Sequence, residues 1–183
     1  MGHGEGCDVA MPLLESLDSG ASFSACRTYR YRLWRSWGPR DRRCVFVGLN
    51  PSTADESRDD PTIRKCVGFA KRWGFGAVEV VNLFAYAGAQ STDPRSLLGV
   101  SDPIGPENDA ALRTAFRDAN RIVWAWGRHD PRVRSLVQAR VASPRWPGRG
   151  HRCETGCLGR LQDGSPRHPL RIAYATRFEP GDR

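Results

Sequence analysis

The chain has 183 residues, with 28 basic residues against 20 acidic ones, a net charge of +8. That length suits one domain burying roughly two-thirds of its surface. No run approaches the about 18 consecutive apolar residues of a membrane span, and Met1 to Gly20 lacks a basic segment and carries Glu5 and Asp8, so neither a membrane protein nor a secreted one is expected.

Leu, Ile, Val and Phe number only 36, but they fall in runs and six Trp add to them, so a folded core is expected. Of the 28 basic residues 26 are Arg, and the two lysines are Lys65 and Lys71. A basic balance suits a polyanionic partner; an Arg-rich, Lys-poor composition is also what a GC-rich genome produces. The six cysteines show no disulfide framework and no Cys-x2-Cys pair. Cys44 and Cys66 sit in apolar patterns as small hydrophobes, and His151, Cys153 and Cys157 form a loose cluster short of a metal-site spacing. No metal or cofactor is therefore expected, and the absence of an export signal places the chain in the cytoplasm.

In chain order, residues 1–22 read as a flexible lead-in with Met11 as a second candidate start, 23–176 as one domain, and 177–183 as a tail. Alternating aromatic and Arg residues from Ala25 to Trp37 predict a half-buried strand. Cys44 to Gly48 predicts a strand buried on both faces, followed by the loop Asn50-Pro51-Ser52-Thr53. Helical spacing of Ile63, Cys66, Val67, Ala70 and Trp73 predicts a helix over 62–73, closed by Gly74 and Gly76. A strand over 78–84, a loop over 87–106, a helix over 107–120 with Pro106 leading it, a strand over 122–126 and a helix over 131–141 follow. Short strands are expected near Cys157 and over 170–174. This alternation predicts a three-layer α/β/α domain with a short, mainly parallel central sheet. Ligands of such sheets bind at the carboxyl ends of the strands.

Unusual polar residues lie at those ends. Gly48-Leu49-Asn50-Pro51-Ser52 follows the first buried strand, with a glycine for close approach, a proline for a fixed turn and an amide that both donates and accepts; an Asx-capped turn is the bland alternative. Asn82 interrupts Val80-Val81-Asn82-Leu83-Phe84, and a buried amide needs partners, whether ligand or backbone. His168 lies between Pro166 and Pro169 in a stiffened loop.

The order Gly-x-Asn-Pro, Asn82, Val123-Trp124-Ala125-Trp126-Gly127 and His168-Pro169 resembles the uracil-DNA glycosylase superfamily. More closely, Asn50-Pro51-Ser52-Thr53-Ala54-Asp55, Asp59-Asp60-Pro61-Thr62, Asn82-Leu83-Phe84 and Gly105-Pro106-Glu107-Asn108-Asp109 are similar to the bacterial and phage family named domain of unknown function 1643, over about Cys26 to Leu170. The superfamily resemblance implies a uracil-DNA-glycosylase-like fold and a monofunctional DNA glycosylase acting on a modified or damaged base, in repair or in defence against phage with altered bases. It assigns water positioning to Asn50, base reading to Asn82 and stabilisation of the departing base to His168, with Gly48, Leu49, Pro51, Ser52 and Phe84 around the base. Phe69, Phe84 and Tyr86 are the candidate aromatic platform. Asp55, Asp59 and Asp60 are candidate acid/base or base-reading groups, Asp60 equally a helix cap. Leu170 stands where the superfamily's minor-groove wedge would be, although Leu170-Arg171-Ile172-Ala173 departs from its pattern and reads equally as a strand. Neither Lys65 nor Lys71 is placed for a Schiff base, so no strand-nicking activity is expected. The expected partner is DNA with a flipped base, bound by a monomer. Two alternatives stand beside it: an N-glycosidase of free nucleotides or nucleosides, and an inactive nucleic-acid-binding module.

Overall fold

The computed structural model describes residues 18–39, 41–88 and 91–181. Seven strands form one sheet: β1 (Ser19–Phe23), β2 (Arg30–Ser36), β3 (Arg43–Gly48), β4 (Ala77–Asn82), β5 (Arg121–Trp124), β6 (Glu154–Cys157) and β7 (Glu179–Pro180), in the order β1-β2-β4-β3-β5-β6-β7. The four central strands β4, β3, β5 and β6 are parallel, while β1, β2 and β7 are antiparallel to their neighbours. The short, mainly parallel sheet expected from the sequence is thus corrected to a seven-stranded mixed one. Of the flanking strands β2 lies within the strand expected over Ala25 to Trp37, while β1 and β7 carry no sequence signal for a physical reason. Ser19–Phe23 holds one large apolar residue and β7 spans two residues, so neither carries a hydrophobic pattern to read.

Three helices flank the sheet: α1 (Pro61–Arg72), α2 (Asn108–Arg117) and α3 (Pro131–Ala142). Side-chain alternation in β3 divides the core between two faces. Cys44 and Phe46 pack with Ile63, Cys66, Phe69 and Ala70 of α1. Val45 and Val47 pack with Leu112, Ala115 and Phe116 of α2 and Val133 and Val137 of α3. Of the lead-in expected over 1–22, residues 1–17 lie outside the described residues, as does Cys7, and from Ser19 the chain is already a strand. Leu170 to Tyr174 is not a strand: a 3-10 turn, Pro169–Arg171, stands there because Pro169 fits a first helical position and removes a ladder donor. In the 177–183 tail, Phe178 packs on the α1-side core and β7 pairs with β6; residues 182 and 183 lie outside the described residues.

Four helical segments start the same way, with a capping side chain followed by proline. Asp60 accepts from Ile63 N–H before Pro61, Asp93 from Arg95 N–H before Pro94, Asp130 from Arg132 and Val133 N–H before Pro131, and His168 from Leu170 N–H before Pro169. Each cap satisfies donors that the helix leaves open, and each proline supplies a preset φ without losing a needed N–H. Two of these caps, Asp60 and His168, face a common cavity.

Candidate functional site

Gly48 and Asn82 end adjacent parallel strands and are register partners. Alternation along β3 and β4 puts both on the α1 face, with Phe46 and Val80 one step back. A cavity of about 220 Å³ opens there, between the carboxyl ends of β3, β4 and β5 and the start of α1. It is where the strand-end rule for parallel sheets points.

Asn82 is 3 % exposed and its Nδ2 has no hydrogen-bond partner among the described residues. A Cβ on Gly48 would lie 2.7 Å from Asn82 Oδ1, so the missing side chain leaves the amide its room. The backbone beneath is pinned: Leu83 N–H donates to the Gly48 carbonyl at 3.0 Å and Phe84 N–H to that of Leu49 at 2.9 Å. Asn50 stands across the same loop. Its Nδ2 donates to the Ser91 carbonyl at 2.6 Å and to that of Pro51 at 3.2 Å, which leaves the amide oxygen as the accepting end.

His168 reaches the cavity from the C-terminal loop. Its Nδ1 accepts from Leu170 N–H at 3.3 Å, which puts the proton of the neutral ring on Nε2. Burial lowers its pKa, the neighbouring His129 lowers it further, and Asp60 partly opposes both. The ring is therefore a neutral donor. His129, also on the cavity wall, donates through Nε2 to the Trp126 carbonyl at 2.5 Å, and burial lowers its pKa too.

Arg30 is the group that sequence reasoning missed. It is 3 % exposed, its Nη1 donates to the Ala54 carbonyl at 2.7 Å, and its Nε has no partner. The aromatic–Arg alternation of β2 assigns it outward, but the alternation does not run through. In the β1–β2 ladder Ser22 pairs with Arg32 but Phe23 with Arg30, so one step on β1 spans two on β2 and the faces of β2 exchange at this bulge. Burial lowers the Arg30 pKa to about 10, with Asp60 holding it up, and the guanidinium keeps its charge at neutral pH.

The other singled-out residues divide. Gly48, Leu49, Asn50, Pro51, Ser52, Asp60, Asn82 and His168 all line the cavity. Asp55 and Asp59 do not: Asp55 Oδ1 accepts from Ser57 and Arg58 N–H in a local turn, and Asp59 accepts from Arg35 Nε at 2.9 Å. Phe84 packs in the opposite core, Phe69 points from α1 into the core on its own side, and Tyr86 is not on the wall; the cavity aromatics are Phe46 and Trp126. Leu170, 39 % exposed, stands two residues beyond His168. The Arg-rich segment 27–35 is tied internally, Arg27 to Glu56, Arg32 to Glu79 and Arg35 to Asp59. Cys157 is buried in the core and Cys153 packs against it, and among the described residues no three His, Cys, Asp or Glu side chains are placed to hold a metal ion.

One comparison with known proteins decides the family. A family profile described as "Protein of unknown function (DUF1643)" matches residues 30–170. The chain belongs to the DUF1643 family. The DUF1643 match begins at Arg30 and ends at Leu170, and it contains every residue of the cavity wall. No curated protein and no solved structure matches the chain. Among the described residues no helix is long and apolar enough to cross a membrane.

Proposed function

We propose that this DUF1643 protein is a monofunctional DNA glycosylase that hydrolyses the N-glycosidic bond of a modified or damaged base, in repair or in defence. The observation that carries the reading is the convergence of Asn50 from the loop after β3, Asn82 from the end of β4 and His168 from the C-terminal loop on one cavity that also holds Phe46 and Trp126.

Cleavage of this bond passes through an oxocarbenium-like sugar, so the water needs placement more than deprotonation. The Asn50 amide oxygen holds the water while its nitrogen, fastened to the Ser91 and Pro51 carbonyls, stops the amide from turning. Asn82 offers its unpartnered Nδ2 to the edge of a base taken out of the stack. The neutral His168 donates from Nε2 to the negative charge that grows on the departing base, which is the larger electrostatic contribution. No lysine lines the cavity, and Lys65 is engaged with the Ile172 carbonyl at 2.8 Å, which supports cleavage without a Schiff base or a strand nick.

The rim favours DNA over a free nucleotide. Leu98 and Leu170 are the large exposed apolar side chains among the described residues, and both belong to 3-10 turns that begin at cavity-lining prolines, Pro94 and Pro169. Exposed Arg167 and Arg171 flank His168 and Leu170, suited to phosphates on either side of a flipped nucleotide. The deciding experiment measures base release from single- and double-stranded oligonucleotides carrying uracil, hypoxanthine, alkylated and hydroxymethyl- or glucosyl-modified bases, with alkali to reveal abasic sites. Release of one base, lost in Asn50→Ala and His168→Ala, is the expected result. Salt-sensitive DNA binding without release, unchanged in Asn50→Ala, would leave only a binding module.

A further inference from the structure

Arg30 has no part in the reaction above, yet it is the most unusual group on the cavity wall. Arg32, Arg35 and Arg140 each meet a carboxylate, Glu79, Asp59 and Asp109 respectively. Among the described residues Arg30 forms no such ion pair, and its buried Nε has no partner. An unpaired buried charge with an orphaned donor is costly to a fold and rare without a purpose. Asn82 Nδ2, on the same cavity, is orphaned as well.

Both orphans are donors, so what completes them is a ligand with acceptors on that edge. The guanidinium adds a charge requirement, since it attracts a group that gains negative charge and repels a cation. Asp60, which spends Oδ1 on Ile63 N–H, adds an acceptor on the same wall for a ring N–H. A carbonyl beside a ring N–H, the edge shared by oxopurines and oxopyrimidines, meets all of these demands.

We propose that Arg30 is a specificity-determining residue that donates to a ring carbonyl of the bound base, so that the cavity takes oxo-bases and refuses bases that are cationic or present only amino groups on that edge. The proposal rests on the base-binding reading of the cavity. It extends that reading by naming the chemical class of base and the residue that selects it.

The test is binding of free ligands to the full chain, followed by calorimetry or by the fluorescence of Trp126 in the wall. The probes are hypoxanthine, uracil, adenine and the cationic 1-methyladenosine, and the proteins are wild type, Arg30→Met and Arg30→Gln. At least one oxo-base is expected to bind roughly tenfold or more tightly than adenine or 1-methyladenosine, with that advantage lost in both variants. Hypoxanthine against uracil tells a purine cavity from a pyrimidine one. Thermal unfolding of both variants shows that they fold, since each loses the buried Nη1 bond to the Ala54 carbonyl and the attraction of Asp60. Equal binding of oxo-bases by either folded variant, equal binding of 1-methyladenosine by the wild type, or no oxo-base binding at all would overturn the proposal. Base release from oligonucleotides is scored separately. Arg30-dependent binding of free oxo-bases without any release would remove the glycosylase reading and keep the recognition.

Discussion

The side-chain amide of Asn108 donates to the backbone carbonyl of Asn82 at 3.1 Å, and through the same nitrogen to that of Leu83 at 3.1 Å. Arg140 Nε adds a second donor to the Leu83 carbonyl at 3.1 Å, while its guanidinium pairs with Asp109. The carboxyl end of β4, where the ladder stops and carbonyls would otherwise be orphaned, is thereby held by side chains from α2 and α3. The Gly105-Pro106-Glu107-Asn108-Asp109 segment is thus explained as a clamp behind the cavity.

Replacing Asn108 with Ala strips the Asn82 carbonyl of its buried side-chain donor and leaves that of Leu83 with Arg140 alone. Asn108 is 0 % exposed, so a loss of about 2–3 kcal/mol in denaturant unfolding is expected, together with weaker ligand binding as Asn82 loses its footing.

Gly48→Ala separates the site from the fold. Its Cβ would come within 2.7 Å of Asn82 Oδ1 and displace that amide, while the backbone there needs no left-handed conformation. Stability is expected to change by about 1 kcal/mol or less and base release or ligand binding to fall more than roughly tenfold. Parallel unfolding and activity measurements on the one variant read both.

Below neutrality the two cavity histidines set the pH response. Their native pKa values lie below the ordinary 6.5, mainly through burial. As pH drops below 6.5, unfolded imidazoles bind protons that the native rings resist, so stability falls with falling pH. Above 6.5 both states are neutral and the contribution vanishes. Urea unfolding between pH 6.5 and about pH 5 measures the slope, and His129→Asn should flatten it. A slope unchanged in His129→Asn and His168→Asn would count against the buried placement of these rings.

Glu79 is 1 % exposed and accepts from Arg32 Nε at 2.5 Å and Arg43 Nη1 at 3.2 Å. Glu79→Gln leaves two partly buried guanidinium groups without a countercharge, and a loss of about 3 kcal/mol in chemical denaturation is expected.

Leu170→Ala tests the rim. If the exposed leucine enters a duplex beside the flipped base, its removal lowers turnover on double-stranded DNA by roughly tenfold and leaves free-base binding as it was. Equal loss on both substrates would place Leu170 in the cavity's own support.

Hydrophobic periodicity is local, and what depends on it was legible. The runs at Cys44–Gly48 and Val78–Phe84 and the helical spacing from Ile63 predict β3, β4 and α1 within a residue or two. The polar residues at the strand ends, Asn50 and Asn82, stood out against apolar neighbours, and both line the cavity. The sequence by itself therefore determined the alternation of strands and helices, the strand end that carries Asn82 and the loops that carry Asn50 and His168.

Tertiary structure decided the rest, because it depends on partners far along the chain. Whether an Arg in β2 faces water or a cavity turns on how β2 registers against its neighbours, and the one-residue shift between the Ser22–Arg32 and Phe23–Arg30 pairs turned Arg30 inward. Of three nearby carboxylates, contacts with Ser57 and Arg58 took Asp55 and contact with Arg35 took Asp59, which left Asp60 on the wall. Phe84 has the parity of Val80 yet packs in the opposite core, because β4 ends at Asn82 and its two-residue period stops there. Pattern sets which segments become elements; register and long-range pairing set which side chains meet.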